Sequence, residues 1–486
     1  MRLHRGHTEG GMTTGSAANG AIARRTPASA STGASPRPAL GQFDPSAWRL
    51  LRLGAPMANG SLVSLLGQFV VLGLLGQVKG DALYLRSVYA PIALLLAAVL
   101  LGIGIPMQVL GARCSGSRSA AALSGALGSI TRIGLAIHAA LAVTLAAGGG
   151  ALSAALGVAA ASRTRFWWFT IAMALVALLG VPAEVVAAAL RGLGHTVGGT
   201  LVSAVSVVGS LLGFPLIDAV TGWGLFALPA TILLAVAVQT AVAGGYLRRA
   251  GSSWLLCLRA RTEGVVRLLA SVGLPVAVSY LVLFVLNAAY LRILAPFGPT
   301  AVLGFTFAYA AQTMAAVPGV AFGSAIAIAV NQTVAAGHPD RVRRIYRRGV
   351  ATVAACYGVV TVLAVLALGP VTALFVRDAA VLAEARAAVH VIAPTFGFMA
   401  VTLTLTAFLE ETGHGLLVLA GNLTWAIAVV WTGGHLVAVR GSPMPLYHTM
   451  AVANVVGLLV AVATAEALIW RRSRRCGTTR LNDRTS

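Results

Sequence analysis

The sequence predicts an all-α polytopic membrane protein whose twelve transmembrane helices form two pseudo-symmetric six-helix lobes. Three observations predict it: scarce charge, twelve long apolar runs and an internal repeat. Of 486 residues, 58% are hydrophobic and 10% charged, against roughly 25% charged in an ordinary soluble domain. So little charge cannot cover a soluble protein of this length, which excludes soluble two-domain enzymes, disordered chains and disulfide scaffolds. A membrane helix needs about 20 mainly apolar residues, and the chain has room for twelve.

Basic residues number 35 against 13 acidic ones, a formal charge of +22. In a soluble protein that excess would suggest nucleic acid. Here no soluble domain exists to carry a basic face, so no nucleic-acid partner is expected. The basic residues, with Lys79 the sole lysine, cluster at the ends of apolar runs. Such clustering encodes topology, because Lys and Arg concentrate in short cytoplasmic loops. Cys114, Cys257, Cys356 and Cys476 form no CxxC pair and no metal spacing with histidine, so neither a disulfide framework nor a metal site is expected.

Residues 1–46, rich in Gly, Ala, Ser, Thr and Arg, read as a disordered cytoplasmic tail. They lack the apolar segment of a secretory signal, so the first span is expected to direct insertion. The N-lobe occupies 47–250, with spans near 50–77, 84–110, 132–155, 166–190, 197–218 and 224–247. A cytoplasmic linker at 251–264 leads to the C-lobe at 265–470. Its spans lie near 268–293, 301–331, 349–374, 386–409, 416–438 and 447–470, followed by a basic cytoplasmic tail at 471–486. With both termini cytoplasmic, 26 Lys and Arg fall inside and eight outside. Arg132 is assigned to the cytoplasmic start of the third span.

The halves repeat. Gly54-Ala55-Pro56 and Gly273-Leu274-Pro275 lie 219 residues apart, as do Leu190–His195 (LRGLGH) and Leu409–His414 (LEETGH). Gly102 and Gly323, taken as ending the second span of each half, are 221 apart, as are Gly116 and Gly337 in the loops that follow. Six spans per half is an even number, so both halves insert in the same sense. A pseudo-two-fold axis along the membrane normal is therefore expected, with a central cleft.

At these positions the sequence resembles the multidrug and toxin compound extrusion (MATE) family. LPVAVSYLVLFVLNAAYLRILAPFGPTAVLGF is similar to the family's seventh span and following loop. PGVAFGSAIAIAVNQTVAAGHPDRVRR is similar to its eighth span and basic loop. In the first half, IPMQVLGARCSGSRS and LRGLGHT are similar to the ends of the second and fourth spans. The resemblance covers about residues 48–470. It implies two six-helix lobes and cation-coupled efflux of small, often cationic or amphipathic organic molecules, with protons or sodium as coupling ions and no cofactor. The positions where members keep acids fall here on Val70 and Val71, Gly209 and Gly213, Leu283 and Met399, with no acid in those neighbourhoods.

An ionisable group within a span costs a few kcal/mol on insertion scales and is a functional candidate by default. Glu184, two residues after Pro182, is the clearest, as a proton or substrate-cation site or as a structural acid paired with a neighbouring arginine. Glu410 and Glu411 close the tenth span, where a solvated helix end is the expectation and an interlobe pair with Arg191 the alternative. Asp81 and Asp218 are placed at the outer interface, and Glu466 is expected to snorkel with Arg471 and Arg472.

Polar side chains at helical spacing mark stripes that must face protein or a wet cavity. They are Ser61, Ser64 and Gln68; Tyr280 and Asn287; Tyr309 and Gln312; and Thr402 and Thr406. A cavity lining would offer amides, hydroxyls and aromatic faces to a cationic substrate; interhelical hydrogen bonding is the plainer account. The binding candidates are therefore Gln68, Glu184, Tyr280, Asn287, Tyr309, Gln312, Thr402 and Thr406. For Asn331 and Gln332 capping or loop contacts are expected, for His138 a satisfied buried imidazole, and for His195 and His414 a structural turn.

No DDxxD or HxxxxD pattern supports an intramembrane enzyme, and none is expected. The leading function is an antiporter exporting drugs or secondary metabolites by alternating access. A flippase for lipid-linked oligosaccharides, from the same broad superfamily, is the alternative. Scarce lysine beside abundant Ala, Gly and Arg points by association to a GC-rich bacterial genome. The expected protein is a monomer in the bacterial inner membrane whose partners are bilayer and small-molecule substrate.

Overall fold

The computed structural model describes residues 46–78, 81–117, 119–249, 263–375 and 378–482. The expected tail at 1–46, Ser46 apart, and most of the 251–264 linker lie outside the described residues. The described chain is almost entirely helical. The first lobe comprises α1 (Ala47–Leu75), α2 (Ala90–Ser117), α3 (Ala120–Ala147), α4 (Arg163–Leu193), α5 (Thr196–Thr221) and α6 (Ala227–Arg249). The second comprises α7 (Leu274–Leu294), α8 (Gly298–Ala335), α9 (Val342–Phe375), α10 (Ala379–Ile392 and Phe396–Leu409), α11 (Gly415–Arg440) and α12 (Met444–Asn482).

Among the described residues, ten helical stretches are apolar and long enough to cross a membrane. Two of them, Val265–Ala335 and Ala379–Arg440, have 71 and 62 residues. At 1.5 Å per residue each far exceeds a hydrocarbon core of about 30 Å. Each therefore holds two spans, which makes twelve. The first folds back at a 3-10 turn, Ala295–Phe297, ahead of Gly298. The second folds back at Glu410–His414, where Gly413 has φ 97°.

Span limits follow the expectation with three corrections. The third helix begins at Ala120 and ends at Ala147, so Arg132 lies within it and not at its start. Ala82–Val88 is a separate short helix before α2, because the chain bends at Tyr89. Gly102 and Gly323 lie inside α2 and α8 rather than at span ends.

The repeat is visible in the backbone. Gly194 and Gly413 both adopt left-handed φ, 93° and 97°, at the ends of α4 and α10. Gly222 and Gly441 do the same, at 65° and 60°, after α5 and α11. Glycine enters that region without a Cβ penalty, so the same residue closes the same turn in each half. The packing repeats as well: α2 on α4 is matched by α8 on α10, α1 on α5 by α7 on α11, and α4 on α6 by α10 on α12.

Close approach of the inner helices relies on small residues, as expected where lipid gives no hydrophobic drive between helices. A Cβ on Gly111 would sit 2.9 Å from the carbonyl oxygen of Ala189. Gly323 approaches the carbonyl of Thr404 in the second lobe in the same manner. In α8 every residue from Ala325 to Val330 is buried, the pattern of a helix enclosed on all sides.

The lobes meet through α2 on α8, α1 on α8 and α7 on α2, the last two related by the repeat. At the α2–α7 crossing, Gly102 faces Gly273, and a Cβ on Gly102 would stand 2.8 Å from the Gly273 carbonyl oxygen. An even number of spans places the start of α1 and the end of α12 at one end of the bundle, called here the terminal end.

Candidate functional site

Among the described residues, a connected group of buried and half-buried polar side chains lies where the lobes meet, towards the terminal end. Glu184 and Arg191 are two turns apart on α4, so both project from one face. Glu184 accepts hydrogen bonds from Gln239 Nε2 of α6 at 2.6 Å and from Ser203 Oγ of α5 at 3.0 Å. Arg191 Nη1 donates to the same Ser203 oxygen at 3.1 Å. A serine has one O–H, so Ser203 donates to the acid and accepts from the arginine, joining two opposite charges through one hydroxyl.

From Arg191 the chain of bonds crosses to the second lobe. Arg191 Nε donates to Gln108 Oε1 of α2 at 3.3 Å, and Gln108 Nε2 donates to Glu411 Oε2 at 3.0 Å. The other oxygen of Glu411 accepts from Ser324 of α8. Arginine only donates and an ionised carboxylate only accepts, so one amide orientation satisfies both neighbours of Gln108. Beside it, Glu410 Oε1 accepts from Ser279 Oγ of α7 at 2.9 Å, and that oxygen accepts from Asn422 Nδ2 of α11 at 3.3 Å. Arg191 stands within electrostatic reach of both Glu184 and Glu411.

Glu410 and Glu411 are thus not a solvated helix end: they are 8% and 2% exposed. The repeat explains why they turn inward. Glu411 is the counterpart of Gly192, whose missing side chain lets α4 close on α2 at Gln108. A glutamate there is directed into the same crowded centre. The alternative, a pair with Arg191, is not made directly: Gln108 lies between the two side chains.

Asn331 and Gln332 make capping contacts as expected, but to helices other than their own. Asn331 Nδ2 donates to the carbonyl of Glu411 at 3.2 Å. Gln332 Nε2 donates to the carbonyl of Gly192 at 3.0 Å, and its Oε1 accepts from Arg49 Nη2 of α1 at 3.2 Å. Adjacent amides on α8 therefore hold the equivalent ends of α4 and α10, one across the lobes and one within a lobe.

The sequence candidates divide between this seam and a second region. Glu184 lies in the seam, and Tyr280 stands within electrostatic reach of Glu410 and Glu411. Gln312 and Tyr309 lie about 18 and 22 Å away along α8, taking 1.5 Å per residue from Ser324. The Tyr309 ring is 5.7 Å from Phe305 and 6.4 Å from Tyr290. Gln312 is buried and donates to Met399 Sδ at 2.7 Å, with no partner for its own Oε1. Asn287 is half-buried on α7, and Gln68 is on the exposed side of α1. The hydroxyls of Thr402 and Thr406 bond back to the carbonyls of Phe398 and Leu403 at 2.9 and 3.0 Å.

Elsewhere the acids serve structure. Asp81 accepts from Ser162 at 2.5 Å and Arg165 at 2.6 Å, and Asp218 accepts from the N–H of Gly224 at 2.7 Å. Glu466 pairs with Arg347 of α9 at 3.0 Å; the side chains of Arg471 and Arg472, its expected partners, lie outside the described residues. His138 is buried, with Nδ1 3.1 Å from the Gly134 carbonyl.

Sequence reasoning missed Gln108, Ser203, Gln239, Ser279, Ser324 and Asn422. A signal existed for Gln108 and Gln239, since each is the one amide side chain in an otherwise apolar run. The serines carry no such mark, because serine is common in membrane helices as a packing residue.

The MatE family model matches residues 275–430, from the start of α7 into α11. No curated protein matches the sequence. Solved structures match over nearly their full length. A mutant form of the Vibrio cholerae MATE transporter VcmN is 17% identical, with a TM-score of 0.82 over 87% of this chain and 97% of its own. A MATE structure in complex with MaD3S is 16% identical, with a TM-score of 0.82 over 89% and 97%. A MOP superfamily transporter from Pyrococcus furiosus, described as having a binding pocket of reverse polarity that suggests a different function, is 16% identical, with a TM-score of 0.80 over 88% and 97%. The chain is thus a multi-pass membrane protein with the fold of the MATE transporters, and its second lobe carries the MatE family match.

Proposed function

We propose that the protein is a secondary active exporter of small organic molecules, drugs or secondary metabolites, working by alternating access as a proton or sodium antiporter. Its place is the bacterial inner membrane, as a monomer with both termini cytoplasmic. The observation that carries this reading is the seam in which Arg191 is linked through Ser203 to Glu184 of its own lobe and through Gln108 to Glu411 of the other. Intramembrane charges are expensive and mark ion or substrate pathways. Here they lie on the contact that must part for a cleft to open at the terminal end.

Substrate contacts are assigned to the second region, where Gln312 keeps an unmatched acceptor beside the rings of Tyr309 and Phe305. Tyr280, Asn287, Gln68, Thr402 and Thr406 are carried as further lining. A lipid-linked pyrophosphate would need an arginine to spare. Arg191 is already engaged by Gln108 and Ser203 and faces two carboxylates, which favours the exporter over a flippase. The test is dye accumulation in a pump-deficient strain, with and without imposed proton and sodium gradients. Lower accumulation that depends on the protein and on one gradient is expected; accumulation indifferent to both contradicts the reading.

A further inference from the structure

Two carboxylates, Glu184 and Glu411, lie within electrostatic reach of the Arg191 guanidinium, and Glu410 adjoins Glu411. The arrangement is also divided unequally between the lobes. Glu184, Ser203, Gln239 and Arg191 all belong to the first lobe and move together when the lobes part. Glu411 and Ser324 belong to the second. The side-chain bond between Gln108 and Glu411 joins the two sets.

Resting on the exporter reading, we propose that Glu411 is the residue at which a transported proton is exchanged, and that Arg191 passes from being linked to Glu411 through Gln108 and to Glu184 through Ser203 to the Ser203 link alone as the seam opens. With Glu411 ionised, the amide of Gln108 is held between a donor-only arginine and an acceptor-only carboxylate, and the seam is latched. A proton arriving from the side opposite the termini forms an O–H on Glu411. The bond from Gln108 then loses its charge assistance, and Arg191 keeps Glu184 through Ser203. The lobes part towards the terminal end, where water accepts the proton from Glu411, and the ionised carboxylate relatches the seam. One proton moves inward for each opening.

The surroundings of Glu411 fit this role. The charged or titratable groups facing it are Arg191 from α4, Tyr280 from α7 and Glu410 in its own turn. From α2, α8 and α11 the groups present are Gln108, Ser324, Asn331 and Asn422, all neutral. Arg191 is therefore the cation that Glu411 faces, and it is fixed to the opposite lobe.

Hydrogen exchange of the purified full chain tests this, read on peptides covering residues 188–195 and 409–416 and corrected for the intrinsic effect of pH. In the wild type, exchange should rise about tenfold from mildly alkaline to mildly acidic pH, the scale of one charge-assisted hydrogen bond. Glu411→Gln should stay at the acidic level at every pH. Gln108→Leu, which leaves the carboxylate in place, should raise exchange at alkaline pH and flatten the profile. A wild-type pH response retained in Glu411→Gln would overturn the proposal, as would a seam that follows sodium at fixed pH. A seam that follows pH in a protein that moves no dye would instead count against the exporter reading.

Discussion

Gln108 and Glu411, 303 residues apart in sequence, share a 3.0 Å hydrogen bond that joins the two lobes at their buried polar centre. Each side chain has its other contacts within its own lobe: Gln108 with Arg191, Glu411 with Ser324. The bond is therefore both a structural tie and the place where separation of the lobes must be felt.

Arg191 should be the most sensitive position for stability. Removing one partner of a buried charged network costs about 3–5 kcal/mol, because it strands the others. Arg191→Gln should lower the Tm of the detergent-solubilised protein more than any substitution outside the seam. Arg191→Lys should fall between, since an ammonium cannot reach Gln108 and Ser203 as a fork. Equal Tm for the two variants would show that charge alone matters.

At the α2–α7 crossing the backbones themselves touch. Gly102→Leu would place a side chain against the Gly273 carbonyl and Ala277, and overpacking of this kind costs about 1–3 kcal/mol or more. Thermal unfolding should shift down accordingly. Gly245→Ala, with no heavy atom within 4 Å of the added Cβ, should leave Tm unchanged or raise it slightly.

In the second region, Gln312→Ala should raise the substrate concentration needed for half-maximal efflux, because it removes the unmatched acceptor next to Tyr309. Thr402→Val should change it little, as that hydroxyl is already bound to the Phe398 carbonyl. Dose-response curves for dye efflux separate the two. A large effect at Thr402 with none at Gln312 would move the substrate site.

Glu184→Gln should keep the protein in the membrane yet remove the dependence of efflux on the driving gradient, since Arg191 would lose its partner within the lobe. Glu466→Gln should alter neither efflux nor Tm, because its pair with Arg347 is exposed to solvent and screened. Gradient-driven efflux measured side by side in both variants checks this contrast.

Much of the fold was legible in the sequence because its signals are long. A 20-residue apolar run and a 219-residue offset survive errors of a few residues at any boundary. The turns at Gly194 and Gly413 were legible for the same reason, as one motif written twice. The seam was less so. Glu184 stood out as an acid in a span, but Glu410 and Glu411 looked like a helix end, because a side chain's direction depends on which helix lies opposite. For Glu411 that helix is α2, 303 positions earlier, and for Glu410 it is α7, 131 positions earlier. Asn331 and Gln332 were legible as caps, but which helix ends they cap, and the role of serines such as Ser203 and Ser324, depend on partners that only tertiary packing supplies.

The central claim is that the two lobes alternate about the seam. Val197 and Leu416 occupy equivalent places in the repeat at the starts of α5 and α11, and both are exposed, at 57% and 63%. Spin labels at the two positions, in a background without native cysteines and reconstituted in lipid, report the separation of the lobes at the terminal end. The account predicts two distance populations, with the longer one favoured at acidic pH and in Glu411→Gln. A single distance that ignores pH, exported substrate and the variant would contradict it.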